Sequence, residues 1–118
     1  HPKVEKVFYL GFTGKNNPDQ LHIFNDQCLS NGAMVSFNIK GEEKEAFRVL
    51  NSLKHIKLAV SLGGTECLAE HPYTMTHADV PDEEKNRLGV TEKMIRLSVG
   101  IENHKDIIWD LEQALDKI

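Results

Sequence analysis

The sequence predicts an α+β fold, a small and mostly antiparallel sheet covered on one side by helices. Three observations carry that expectation. Ala33, Val35, Phe37 and Ile39 alternate with Met34, Ser36, Asn38 and Lys40, the period of two that marks a half-buried strand. Ile95, Leu97, Val99 and Ile101 alternate in the same way with Met94, Arg96, Ser98 and Gly100. Glu42–Leu53 and Asn103–Ile118 instead place their apolar residues at helical spacing.

Along the chain, Val4 to Leu10 reads as a short strand ended by Gly11, and Phe12 to Asn17, with Gly14 and two Asn residues, as a loop. Pro18 suits the first turn of a helix whose Leu21, Phe24 and Cys28 share one face, with Asn31-Gly32 as its stop. Glu42 opens an acidic first turn that complements the helix dipole. Ile56 to Leu62 is an apolar, strand-like run ending in Gly63-Gly64. Pro81 to Leu88 is a short helix bracketed by Pro and Gly89. In the last helix Asn103 is the expected cap, paired with Asp106 in a capping-box-like arrangement, and Ile107, Ile108, Leu111, Leu115 and Ile118 form the buried stripe.

One domain is expected from 118 residues, of which 40% are hydrophobic and 27% charged. The net charge of −4, with scattered lysines and no basic stripe, argues against nucleic acid. No apolar run approaches the ~20 residues of a membrane-spanning helix. No signal peptide opens the chain, so a soluble, cytoplasmic protein is expected. In that compartment Cys28 and Cys67 are expected as free thiols.

Two places could carry chemistry. Arg96 stands on the polar face of an otherwise apolar strand, where a guanidinium needs water, an acidic neighbour or an anion; its planar fork matches a carboxylate. Ser61 with Gly63 and Gly64 is either a tight turn or a second anion anchor built of a hydroxyl and approachable backbone N–H groups. Glu66, Glu70, His71 and His77 match no structural zinc spacing, and Cys67 has no triad partner at a diagnostic separation. Metal binding and a cysteine nucleophile are therefore not expected.

Taken together, Lys57-Leu58-Ala59-Val60-Ser61-Leu62-Gly63-Gly64, Glu66, His71-Pro72, Met75-Thr76-His77 and Ile95-Arg96-Leu97-Ser98-Val99-Gly100-Ile101-Glu102 resemble the C-terminal domain of the Cys/Met-metabolism pyridoxal-phosphate (PLP) enzymes of fold type I. His1-Pro2-Lys3-Val4 resembles the entry into that domain, and Met34-Val35-Ser36-Phe37 its first well-marked strand. The resemblance implies that residues 1–118 are the small domain of a lyase whose large, PLP-binding domain is absent. It implies that Arg96 holds the substrate α-carboxylate with Ser61 as companion, and that Val60 marks the methionine γ-lyase subfamily. Cystathionine γ-lyases and γ-synthases carry glutamate there, suited to a second polar end, whereas valine suits an apolar thioether. Tyr73-Thr74 departs from the small residues usual in that subfamily.

The implied reaction is cleavage of L-methionine to methanethiol, ammonia and 2-oxobutanoate by a homotetramer. PLP chemistry also needs a lysine, a carboxylate on the ring nitrogen, a stacked aromatic and a phosphate cup. None is recognisable in the sequence, so the chain alone is expected neither to hold PLP tightly nor to turn over substrate. His1-Pro2 opens the chain without methionine, which favours an excised enzyme domain over a free-standing binding module.

Overall fold

The computed structural model describes residues 1–118, the side chain of Asn16 excepted. Strand β1 (Val4–Phe8) leads through a 3-10 turn (Leu10–Phe12), a short helix α1 (Thr13–Asn16) and a second 3-10 turn (Pro18–Gln20) into α2 (Leu21–Gln27). Then follow β2 (Met34–Ile39), α3 (Glu43–Ser52), β3 (Lys57–Leu58), β4 (Leu68–Glu70), α4 (Asp82–Leu88), β5 (Met94–Ser98) and α5 (His104–Leu115). The five strands lie in the order β1-β2-β5-β4-β3, antiparallel except for the β3–β4 pair. The predicted α+β class with a mainly antiparallel sheet is what the chain adopts.

The core lies between one face of the sheet and the pair α3 and α5. Phe37 and Ile39 of β2, Ala69 of β4, and Ile95 and Leu97 of β5 meet Val49 and Leu50 of α3 and Ile107 and Leu115 of α5. Alternation along β2 and β5 sends these residues to one side and leaves Ser36, Asn38, Arg96 and Ser98 on the other. A capping box starts α3: Glu42 is its N-cap, and Glu45 accepts the Glu42 N–H at 3.1 Å.

Several local expectations are corrected. Within the Phe12–Asn17 segment Thr13–Asn16 is helical rather than a loop, and α2 buries none of its residues; Leu21 is 38% exposed and Cys28 is exposed. The cause is packing: α2 meets the neighbouring Pro18–Gln20 turn and α1 rather than the sheet. The Ile56–Leu62 run forms a strand only at Lys57–Leu58, on the edge of the sheet, where it has a neighbour on one side alone. In α5, Asn103 caps through the Lys105 N–H at 2.9 Å and not as a capping box with Asp106. Ile108 and Ile101 point outward, while Asp110, on no expected stripe, is fully buried.

Asp110 explains its own burial. Its carboxylate accepts the backbone N–H groups of Lys54 (2.8 Å), His55 (2.8 Å) and Ile56 (2.9 Å). Burial alone would raise its pKa; those N–H donors, with Gln113, outweigh burial and hold it below the ordinary carboxylate value. This clamp fixes the turn that delivers the chain into β3. None of the helices among the described residues is long and apolar enough to cross a membrane.

Candidate functional site

On the face opposite the core a polar row crosses the sheet. Arg96 in the middle of β5 stands opposite Ser36 of β2 and opposite Glu70 of β4, and directly opposed antiparallel residues share a face. Ser98, two residues along β5, lies on the same side and is 1% exposed. The arginine is therefore held by the central strand of the sheet, with a strand on either side.

Glu70 is 1% exposed and forms an ion pair with Arg96, Oε1 lying 2.9 Å from Nη1. The hydroxyl of Thr76 donates to the same Oε1 at 3.0 Å. Glu70 Oε2 and Arg96 Nη2 are both buried without a hydrogen-bond partner. Since a buried polar atom without a partner costs about 1–3 kcal/mol, this is a site where the fold has left hydrogen-bonding capacity in reserve. Of the sequence alternatives for Arg96, the acidic neighbour is real but takes only part of the fork.

The Ser61 loop approaches the same strand. Beyond β3, Ala59 still donates to the Ala69 carbonyl at 3.0 Å, after which the chain leaves the sheet. Val60 is 55% exposed and Ser61 is exposed. Gly63, at φ +74° in the left-handed region that favours glycine, turns the loop back so that its N–H donates to Ser98 Oγ at 2.9 Å. The structure thus brings the Gly63 turn to β5 two residues from Arg96. Among the described residues no hydrogen bond joins Ser61 or Val60 to Arg96.

Glu70, Thr76 and Ser98 were not singled out as site residues from the sequence. A three-residue strand is too short for its periodicity to register, so β4 and the partner it supplies were invisible. Ser98 was legible as the polar neighbour of Arg96 at the strand period. Of the residues weighed as a metal cluster, Glu70 serves Arg96. His71 is fully buried, its ring between Thr74 Oγ1 (2.8 Å) and the Glu92 carbonyl (2.7 Å), against Phe47. Among the described residues no group of three or more His, Cys, Asp and Glu is arranged to hold a metal ion.

Known proteins are similar to this chain in sequence and in fold. The sequence pattern of the Cys/Met metabolism PLP-dependent enzymes matches residues 1–116. The chain belongs to that family. It is 49% identical to an L-methionine γ-lyase of Fusobacterium nucleatum, over 100% of this chain and 29% of the relative. It is 47% identical to a cystathionine γ-lyase of Dictyostelium discoideum, over 99% of this chain and 30% of the relative. The crystal structure of a cystathionine γ-lyase from Micromonospora echinospora superposes with a TM-score of 0.87 at 38% identity, covering 98% of this chain and 29% of that one. The chain thus spans about three tenths of the length of these relatives.

The family's cofactor can be tested against the residues present. PLP is held through a lysine amine in a site that also grips its ring and phosphate. Lys85, the buried lysine, is tied to Asp82 at 3.3 Å and lies over the Tyr73 ring at 4.1 Å. Lys6 shares the Arg96 face, opposite Asn38, but it is exposed on the edge strand with its ammonium 4.8 Å from the Phe8 ring centre. These residues do not make a PLP site. The polar row carries one buried, unpartnered donor, Arg96 Nη2, and one buried, unpartnered acceptor, Glu70 Oε2.

Proposed function

We propose that this chain is the substrate-carboxylate-binding, C-terminal domain of a PLP-dependent carbon–sulfur lyase acting on L-methionine, with methanethiol, ammonia and 2-oxobutanoate as products. The observation that carries the reading is the buried, partnerless Nη2 of Arg96 on a polar sheet face. A carboxylate entering there would accept from a fork already held in place, orienting the amino acid for chemistry at its α-carbon. Ser61 is the proposed companion donor, on a loop moored to the same strand through Gly63 and Ser98. PLP, when bound in the full-length enzyme, supplies the electron sink; this chain supplies the grip on the substrate.

Replacing Arg96 by Lys in the full-length polypeptide tests the proposal. Losing two charge-assisted bonds predicts a rise of roughly 100-fold or more in the Kd for L-methionine, with the visible absorbance of bound PLP unchanged. An unchanged Kd would remove the carboxylate role. The isolated 118-residue chain, mixed with PLP, should develop no stable visible band. A persistent band would mean that the chain holds the cofactor by itself.

A second reading is favoured by the cystathionine γ-lyase relatives, which are nearly as similar as the methionine γ-lyases. Val60, exposed beside Ser61, is the residue on which the choice rests. Val60→Glu should shift preference from methionine toward cystathionine, and a ratio of kcat/KM values that does not move would remove the reason for choosing methionine. The full enzyme is proposed to work in the cytoplasm as a homotetramer, whose mass sedimentation of the purified full-length polypeptide measures. A free-standing binding module would instead show no lyase activity in any form of its natural polypeptide.

A further inference from the structure

We infer that Glu70, steadied by Thr76, is a positioning residue that sets the orientation of the Arg96 guanidinium for the incoming carboxylate; the inference rests on the carboxylate-site reading above. A buried glutamate beside an anion site is at first sight the wrong choice. Its negative charge opposes the substrate carboxylate and offsets part of the arginine's attraction. A role in orientation resolves the conflict.

The geometry is that of a partial clamp. In a fork-to-fork pair, both carboxylate oxygens face two nitrogens of the guanidinium. Here Glu70 Oε1 alone is paired, with Nη1, while Oε2 and Nη2 have no partner. The Thr76 hydroxyl donates to that same Oε1, holding the carboxylate in the one-sided arrangement. With Nη1 engaged, the guanidinium edge formed by Nε and Nη2 is the one left for a bidentate anion. Glu70 is suited to such a task because it ends β4 directly opposite Arg96 and is 1% exposed, so its own rotamer is held by packing. An arginine fixed before binding loses less side-chain freedom when the substrate arrives.

The test uses the PLP-loaded full-length enzyme and L-norleucine, which carries the α-carboxylate and an apolar side chain but no γ-sulfur, so that affinity is read by calorimetry without turnover. Glu70→Gln should weaken norleucine binding about ten-fold, the scale set by re-ordering one long side chain. KM for methionine should rise in parallel, with kcat within about two-fold and the PLP absorbance unchanged. Simple charge neutralisation predicts the opposite sign, since removing a negative charge would tighten binding of an anion. Unchanged or tighter binding therefore overturns the inference.

Thr76→Val removes the hydroxyl without changing charge and should weaken binding about three-fold, while Thr76→Ser should bind like the parent. That pair decides the matter if Glu70→Gln does not fold: equal affinities for Val and Ser at 76 would overturn the role. If Arg96→Lys itself leaves norleucine affinity intact, the carboxylate-site reading fails. If Arg96→Lys weakens binding and the Glu70 and Thr76 variants do not, only the positioning role fails.

Discussion

Asp110→Asn should destabilise the 118-residue chain by about 3 kcal/mol, because one buried carboxylate holds three consecutive backbone N–H groups. The Ile56 N–H belongs to a residue 2% exposed and has no ready substitute acceptor, so its charge-assisted bond contributes about 2 kcal/mol. Lys54 and His55 are exposed and can turn to water, which limits their joint contribution to about 1 kcal/mol. An asparagine also presents an NH2 group toward donors, so it keeps at most part of the clamp. Against a total stability of about 6–18 kcal/mol for a chain of this length, that is a large fraction. It should lower Tm by about 12 °C in a circular-dichroism melt at pH 7.

Acid supplies an internal control. The folded-state pKa of Asp110 lies below its ordinary value, so its stabilisation is fully present above about pH 4 and is lost as pH falls through the folded value. Parent and variant should therefore converge as the pH is lowered through that folded value. A Tm difference under about 3 °C at pH 7, or one that persists unchanged into acid, would refute the clamp.

Other perturbations test separate features. Burial pushes the Cys67 thiol up to about 11, and the Glu102 carboxylate bonded to it at 3.0 Å acts in the same direction. At pH 8 Ellman's reagent should therefore label exposed Cys28 quickly and Cys67 only after denaturation; two equally fast native thiols would contradict the burial. Gly100→Ala would drive a methyl against the Thr65 carbonyl oxygen and to 2.6 Å from the Glu66 carbonyl carbon. It should cost about 3 kcal/mol in urea unfolding, and a midpoint equal to the parent's would show that this approach is not tight. Ser98→Ala should strip hydrogen-exchange protection from the Gly63 amide while leaving the β5 amides protected; an unchanged Gly63 rate would mean that the loop is not moored there.

Periodicity and punctuation disclosed β2, β5, α3, α4 and α5, because each repeats a local pattern long enough to outweigh chance. Arg96 was legible for the same reason, as a cation on the polar phase of an alternating strand. The ordered motifs from Lys57 to Glu102 carried the family, which the comparisons with whole sequences establish. These are properties of neighbours in the chain, and the sequence records them directly.

Three features were decided only by the tertiary structure. Leu68–Glu70 became a strand because β5 and β3 lie on either side of it, an outcome of pairing that no three-residue pattern encodes. Asp110 was buried by the turn at residues 54–56, more than fifty positions away in sequence, whose N–H groups needed an acceptor. Arg96 received Glu70 on one side and the Ser98-moored Gly63 turn beside it, so that a candidate carboxylate grip arises across two strands and a loop. Sequence alone could name the arginine. How much of its fork is left for a substrate depends on long-range contacts, because hydrogen-bond capacity is shared out only when the sheet closes.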